Sequence, residues 1–454
     1  MRYIWPLLLL LSALSCTPKE DEITTEPSAI LSFSSDTVMF DTVFVSKGSV
    51  TKRLKVYNPN KNAVRISNIT LAGAETSPYN LIINGVETPV ATNLELRGND
   101  SLYVLVKVNI DPSAANLPFL VADSILFETN GRRQGVKLVA YGQNAVFHTK
   151  KSIGTTTWTN DLPHVLLDSV LVQEGATLTI EKGTQVVGTN KAVLLINGRL
   201  LVQGTPEERV SFSGYRKEAE YAVAPGQWEG IRILTKSNGN SIRYADIRNT
   251  LYGIRIGNPG QAGTLIEGCQ IQYTYLDGIV AFTSDVKVVN TLITYFGQYG
   301  FGGLGGGNYE VLYTTIANYN NPLPRETPAF VIADYIPGTE IKDQALNLKL
   351  LNSIVYSDGS ETFKDEILID ASANATIEIG YSILRTDLYK AIFNTNGNIL
   401  NKEPEFKDVD KKDFSLDAAS PARDKAKVIT GITTDLKGNV RSSTPDIGAL
   451  EFKE

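Results

Sequence analysis

The sequence predicts an all-β chain in two unlike parts: a sandwich of irregular strands, then a repetitive parallel coil. Three observations carry this expectation. Short β-patterned runs separated by turn residues fill the stretch from about Ala29 to Tyr141. From about Lys150 the rhythm changes to a repeat of 22–24 residues. The composition, with 37 Gly, 19 Pro and 20 Tyr but only two Met, is that of a turn-rich β protein. At 454 residues the chain has room for more than one core. A hydrophobic content of 42% with 20% charged residues excludes wholesale disorder. The formal charge, 43 − 49 = −6, argues against a nucleic-acid partner, which demands a basic footprint. Two His and two Cys rule out a disulfide-built scaffold and leave almost nothing for a Cys/His zinc cluster.

The N-terminus reads as an address. Arg2 precedes an apolar run, Leu7 to Leu11, far too short to span a bilayer. Ala13-Leu14-Ser15-Cys16 resembles the bacterial lipobox, which implies that residues 1–15 are a lipoprotein signal peptide and that Cys16 carries the lipid. Cleavage leaves 454 − 15 = 439 residues and, with Arg2 lost, a charge of −7. Residues 16–28 read as a polar tether. Within it Lys19, Glu20, Asp21 and Glu22 resemble the Lys-plus-acidic tract by which some diderm bacteria export lipoproteins to the cell surface. Together these resemblances imply an outer-membrane location facing the exterior, with outer-membrane lipid as the partner through Cys16.

Residues 29–146 read as the sandwich. Seven strands are expected, at Val38–Val45, Leu54–Tyr57, Val64–Leu71, Tyr79–Ile83, Leu102–Ile110, Ser124–Thr129 and Val136–Tyr141. Asn58-Pro59-Asn60 and Asn130-Gly131 supply turns. The segments at 56–60, 108–112 and 136–142 resemble the abnormal-spindle/hydin type of immunoglobulin-like domain. Neither Cys lies here, so no inter-sheet disulfide is possible.

Residues 150–454 carry the repeat. The blocks Tyr244-Ala-Asp-Ile247, Gly268-Cys-Gln-Ile271, Asn290-Thr-Leu-Ile293, Tyr313-Thr-Thr-Ile316, Asn352-Ser-Ile-Val355 and Tyr381-Ser-Ile-Leu384 end 24, 22, 23, 39 and 29 residues apart. A second column, Tyr252-Gly-Ile254, Asp277-Gly-Ile279 and Tyr299-Gly-Phe301, keeps pace with it. Leucine-rich repeats need a helical return, and left-handed coils a hexapeptide rhythm; neither is present. A right-handed parallel β-helix of roughly eleven or twelve coils fits best. Ile, Leu and Val would stack inward, with Ala245, Cys269, Thr291, Thr314, Ser353 and Ser382 at crowded corners. Cys269 is then a packing residue, not a reactive thiol. The segments Gly175–Thr184, Ile196–Thr205 and Trp228–Ile231 resemble the opening coils of pectate-lyase-like proteins. Ser420–Ala426 and Pro445–Glu451 resemble their closing segment. Where the period is exceeded, at 320–345 and 358–375, insertions are expected on one working face. The Gly-rich run Phe301–Gly307 reads as a tight turn.

Chemistry is the least legible part. Resemblance to pectate lyases implies calcium held by acids beside an Arg base, which nominates Asp246, Glu267 and Asp277 as ligands and Arg248 or Arg255 as the base. The columns flanking the ladder carry no carboxylates in adjacent coils, so plain surface charge is the simpler reading, with no cofactor. The hydrolase variant needs a Gly-His-Gly segment, and His148 and His164 both precede the repeat. Aromatics are more suggestive: Tyr252, Tyr273, Tyr275, Tyr295, Tyr299 and Tyr319 fall in consecutive coils. They could form a strip for sugar rings, with Arg248 as a polar anchor, or pack as core. The expected function is a cell-surface protein that binds a polysaccharide or another envelope component without cleaving it. A uronate-directed lyase and a passive spacer are the alternatives. A ligand site would span Arg248 to Tyr319 under the 320–345 insertion.

Overall fold

The computed structural model describes residues 21–112, 118–260, 263–358, 364–372 and 375–453. Cys16, Lys19 and Glu20 lie outside the described residues. The chain divides into two compact units at Asn144/Ala145. It is all-β: among the described residues the α-helix Lys390–Phe393 is a single turn. None of their helices is long and apolar enough to cross a membrane.

The first unit is two sheets around one core. One sheet orders Ile23–Thr24, Ala63–Leu71, Phe119–Thr129, Arg132–Gln143 and Thr37–Phe44, with Val90–Leu96 added beside Ala63–Leu71. The other orders Ser32–Phe33, Lys52–Tyr57, Ser101–Val108, Tyr79–Ile83 and Val86–Glu87. Alternation decides the inward faces: Val136, Leu138 and Ala140 are buried while Lys137 and Tyr141 are exposed. Asn130 and Gly131, both at positive φ (51° and 74°), close the hairpin that Asn-Gly predicts. The sequence reading missed Val90–Leu96, a strand of which only Leu96 is buried, so that its apolar residues do not alternate with its polar ones. It also placed the tether too late. Ile23–Thr24 pairs in parallel with Ala63–Val64, the Ala63 N–H donates to the Glu22 carbonyl (3.1 Å), and Asn130 Nδ2 donates to the Glu26 carbonyl (3.1 Å). At Ile23–Thr24 the supposed linker is already a strand of the sheet.

The second unit winds through stacked rungs, each contributing a strand to up to three faces. The first face holds eleven strands, from Val146–His148 to Ile399–Leu400, each paired with the next rung. Ile247, Ile271, Ile293, Ile316, Val355 and Leu384 are direct neighbours in that ladder and all are buried. Ile254, Ile279 and Phe301 stack likewise on the second face. Between the third face and the first, a single residue makes the turn. Tyr244, Gly268, Asn290, Tyr313, Asn352 and Tyr381 all sit there at φ of 47–64°. The small residues that follow are fully buried and join their hydroxyls across rungs: the Thr314 N–H donates to Ser353 Oγ, and the Ser353 N–H to Ser382 Oγ, each at 3.1 Å.

Three expectations change here. The stretches 320–345 and 358–375 are not pure insertions, because Phe330–Ala333 and Ile367–Asp370 are second-face strands. The 22–24-residue blocks mark the first face only, so second-face strands set between longer turns do not show in that period. The Gly-rich run lies inside the strand Phe301–Leu312, which bends at Gly305 and Gly306, both at positive φ. Lastly, His148 and His164 do not precede the coil but lie in its first two first-face strands.

Candidate functional site

The expected aromatic strip exists, but protein covers it. Tyr273 and Tyr295 sit at φ of 55° and 57°, a local kink just past the ladder, and their rings stack at 4.7 Å and 4°. Phe414 meets Tyr295 edge-on at 5.9 Å, and Phe406 meets Tyr319 edge-on at 5.6 Å. Both phenylalanines belong to the hairpin Phe406–Asp408/Asp413–Leu416 in the C-terminal segment. That segment also places Ala422, Leu436, Ile447, Ala449 and Leu450 in the same cluster. Tyr273, Tyr295 and Tyr319 are left only 6%, 3% and 6% exposed. They are core, and the sugar platform built on them is withdrawn.

The proposed calcium ligands do not fit a shared ion. Asp246 is on the first face and pairs with Arg209 at 2.8 Å. Glu267 is on the third and pairs with Arg243 at 2.7 Å. Asp277 lies in the turn leading to the second face, between strands Gln270–Thr274 and Ile279–Val289. Calcium needs several oxygens on one point, and these three acids occupy three sides of the coil. Among the described residues no group of three His, Cys, Asp or Glu is placed to hold a metal. Arg248, on the first face beside Gln272, is likewise parted from Arg255 on the second.

Four candidates do converge: Tyr252, Arg255, Asp277 and Tyr299. Tyr252, Asp277 and Tyr299 each precede a glycine where successive rungs enter the second face. A Cβ on Gly278 would come within 2.5 Å of Ile293 Cγ2 and 2.7 Å of the Gly300 carbonyl oxygen, so the corner admits only glycine. This tight corner brings each preceding side chain beside the column Arg232, Arg255, Val280 and Gly302. The Arg255 guanidinium lies between two rings, 5.5 Å from the Tyr252 centroid and 5.0 Å from that of Phe282. It makes no direct ion pair among the described residues. The Tyr299 ring covers Gly302, where a Cβ would approach within 3.1 Å. Tyr275, in the same turn as Asp277, is 53% exposed.

Asp277 is only 4% exposed. Burial pushes its carboxyl up to about 6, against the opposing pull of the Tyr299 N–H (3.0 Å from Oδ1) and of Arg255. A half-buried cation between rings, beside a carboxyl that titrates near neutrality, can hold hydroxylated or charged rings and can exchange a proton. The sequence reading missed Phe282. Its signal was there: it stands two residues past Val280, the register partner of Arg255, and so on the same side of the strand.

No protein-family model matches the sequence, and no curated protein matches it. Solved structures similar to it include the ASH/PapD-like domain of human CEP192, at 12% identity and TM-score 0.18, covering 27% of this chain and 89% of that one. The Salmonella enterica SafA pilin in complex with the SafB chaperone matches at 10% identity and TM-score 0.18, over 27% of this chain and 57% of that one. A family 123 glycoside hydrolase from Clostridium perfringens matches at 11% and TM-score 0.18, over 27% of this chain and 30% of that one. The neighbours thus include PapD-like domains, and at these TM-scores they assign no activity.

Proposed function

We propose that this chain is a cell-surface lipoprotein that binds a glycan or another envelope component without cleaving it. The observation that carries the reading is Arg255, without a direct ion pair among the described residues, between Tyr252 and Phe282 and beside Asp277. Ring faces with a few fixed polar groups are what a sugar ring needs. The C-terminal unit reads as a right-handed parallel β-helix, since parallel crossovers are right-handed in nearly all proteins. The N-terminal unit reads as immunoglobulin-like, from its two sheets and the motifs at 56–60, 108–112 and 136–142. The lipobox ending in Cys16 supports a lipid anchor, and the acidic tract supports surface display.

The test is a glycan array followed by titration of any hit. Affinity is expected on the order of micromolar to millimolar. Tyr252→Ala and Arg255→Ala should each weaken a hit by about tenfold, 1.4 kcal/mol, with the melting temperature nearly unchanged. Unchanged binding in both variants would overturn this site. Loss of lipid labelling in Cys16→Ser tests the anchor.

A second reading rests on Asp277. A carboxyl at about 6 suits general acid–base catalysis at neutral pH. New reducing ends, or absorbance from an unsaturated uronate, on incubation with an array hit would favour it over binding alone.

A further inference from the structure

Over the last rungs of the first face lies a polar cavity of about 440 Å³, distinct from the Tyr252–Arg255 flank. Its floor is built by the ladder. Tyr356 and Arg385 each follow a stacked core residue, Val355 and Leu384, in successive rungs. The Arg385 guanidinium lies 5.8 Å from the Tyr356 ring centroid, and its Nη1 donates to the Ser357 carbonyl at 2.7 Å. Arg385 is thereby fixed without being neutralised.

Charge decides what the cavity takes. Three cations line it: Arg385, Lys364 and Lys390. Among the described residues none of the three forms an ion pair. The two lining carboxylates are already engaged: Asp387 Oδ1 accepts from Asn401 Nδ2 at 3.1 Å, and Glu403 accepts from the Tyr319 hydroxyl. Burial raises the Glu403 carboxyl, as do neighbouring Glu405 and Asp358, against the opposing pull of the Tyr319 hydroxyl and of Arg385. Asn401 is held at both ends, accepting from the Thr386 N–H at 2.8 Å and donating to the Thr386 carbonyl at 2.9 Å. The cavity is a polar pocket whose lining carries three cations against two carboxylates, an excess of one positive charge in a protein whose formal charge is −6.

We propose that this cavity binds the oxyanion of an acidic sugar, a uronate carboxylate or a sulfate ester, with Arg385 fixed at the floor and Lys364 and Lys390 closing from the rim. A volume of this size is in the range of small-ligand pockets. Cations on flexible stems suit an anion whose ring orientation varies. The site adds to the glycan reading and shares no residue with the Tyr252 flank.

Titrate the full chain with glucuronate, glucose 6-sulfate and glucose, by calorimetry at low and high salt. At least one acidic sugar should bind, on the order of millimolar, and glucose should not. Binding should weaken as salt rises. Whichever acid binds names the group: glucuronate the carboxylate, glucose 6-sulfate the sulfate ester, and both a shared oxyanion site. The double variant Lys364→Ala/Lys390→Ala changes only exposed side chains and should lower acidic-sugar affinity about tenfold at an unchanged melting temperature. Tyr252→Ala should leave it intact, which separates this site from the flank. Equal binding of glucose, no binding of either acid, full affinity in the double variant, or loss of binding in Tyr252→Ala would each overturn the proposal.

Discussion

His148 and His164 show how a single contact can make the fold sensitive to acid. His148 Nε2 lies 3.0 Å from His164 Nδ1, and the two rings stack on Trp158 at 4.7 and 4.6 Å. One nitrogen must donate and the other accept, which suits neutral rings. Burial pushes both down to about 4 from an ordinary 6.5. The unfolded chain takes up protons as pH falls through 6.5, while the folded pair refuses them until about 4, so stability drops across that window. Thermal melts should therefore show a falling melting temperature from pH 7 to pH 4.5, and His148→Phe should flatten that slope. Gly278 is the other decisive residue. Gly278→Ala forces a methyl against Ile293 and the Gly300 carbonyl, and should cost about 1–3 kcal/mol in a denaturant titration.

At the scale of elements, the C-terminal segment determines which surface is available. It is fastened by Arg441, whose Nη1 lies 3.1 Å from Glu451 Oε2 and whose Nη2 donates to Asn290 Oδ1 at 2.8 Å. The guanidinium also lies 3.9 Å from the Tyr313 ring centroid. Arg441→Ala strands a buried carboxylate and should destabilise by about 3–5 kcal/mol. Hydrogen exchange should then quicken first across 402–453. Phe414→Ala should uncover Tyr295 and Tyr319, read as new binding of an apolar dye. The long turns are fastened in the same way: Arg325 Nη2 meets Glu366 at 2.6 Å, and Glu366 Oε2 accepts the Ala329 N–H at 3.1 Å. The 320–345 stretch is thus tied to its neighbour rather than hanging as a flap.

At the scale of the whole molecule, the two units have separate cores. Calorimetry should resolve two unfolding transitions, because two-state behaviour holds within a domain and not across independent ones. In the second unit each rung pairs only with adjacent rungs, so its stability accumulates from neighbour to neighbour. A lesion in one rung, such as Gly278→Ala, should therefore lower the second transition and leave the first in place.

Periodicity alone determined the inward ladder Ile247 to Leu384, the small corner residues, and the seven main strands of the first unit. These depend on local alternation and on stacking of like with like, which a sequence displays directly. Tyr252, Arg255, Asp277 and Tyr299 were each legible as candidates, but from three unrelated lists. Only the coil brought them to one corner, through stacked glycines that turn the backbone so tightly. Whether Tyr273, Tyr295 and Tyr319 face solvent was not written in their own register. That depends on a segment a hundred or so residues onward, folding back over the first face. The cavity at Arg385 has the same origin, since its walls come from turns of successive rungs. Burial of an outward-facing side chain is set by whatever covers it, and that covering contact is long-range and carries no period.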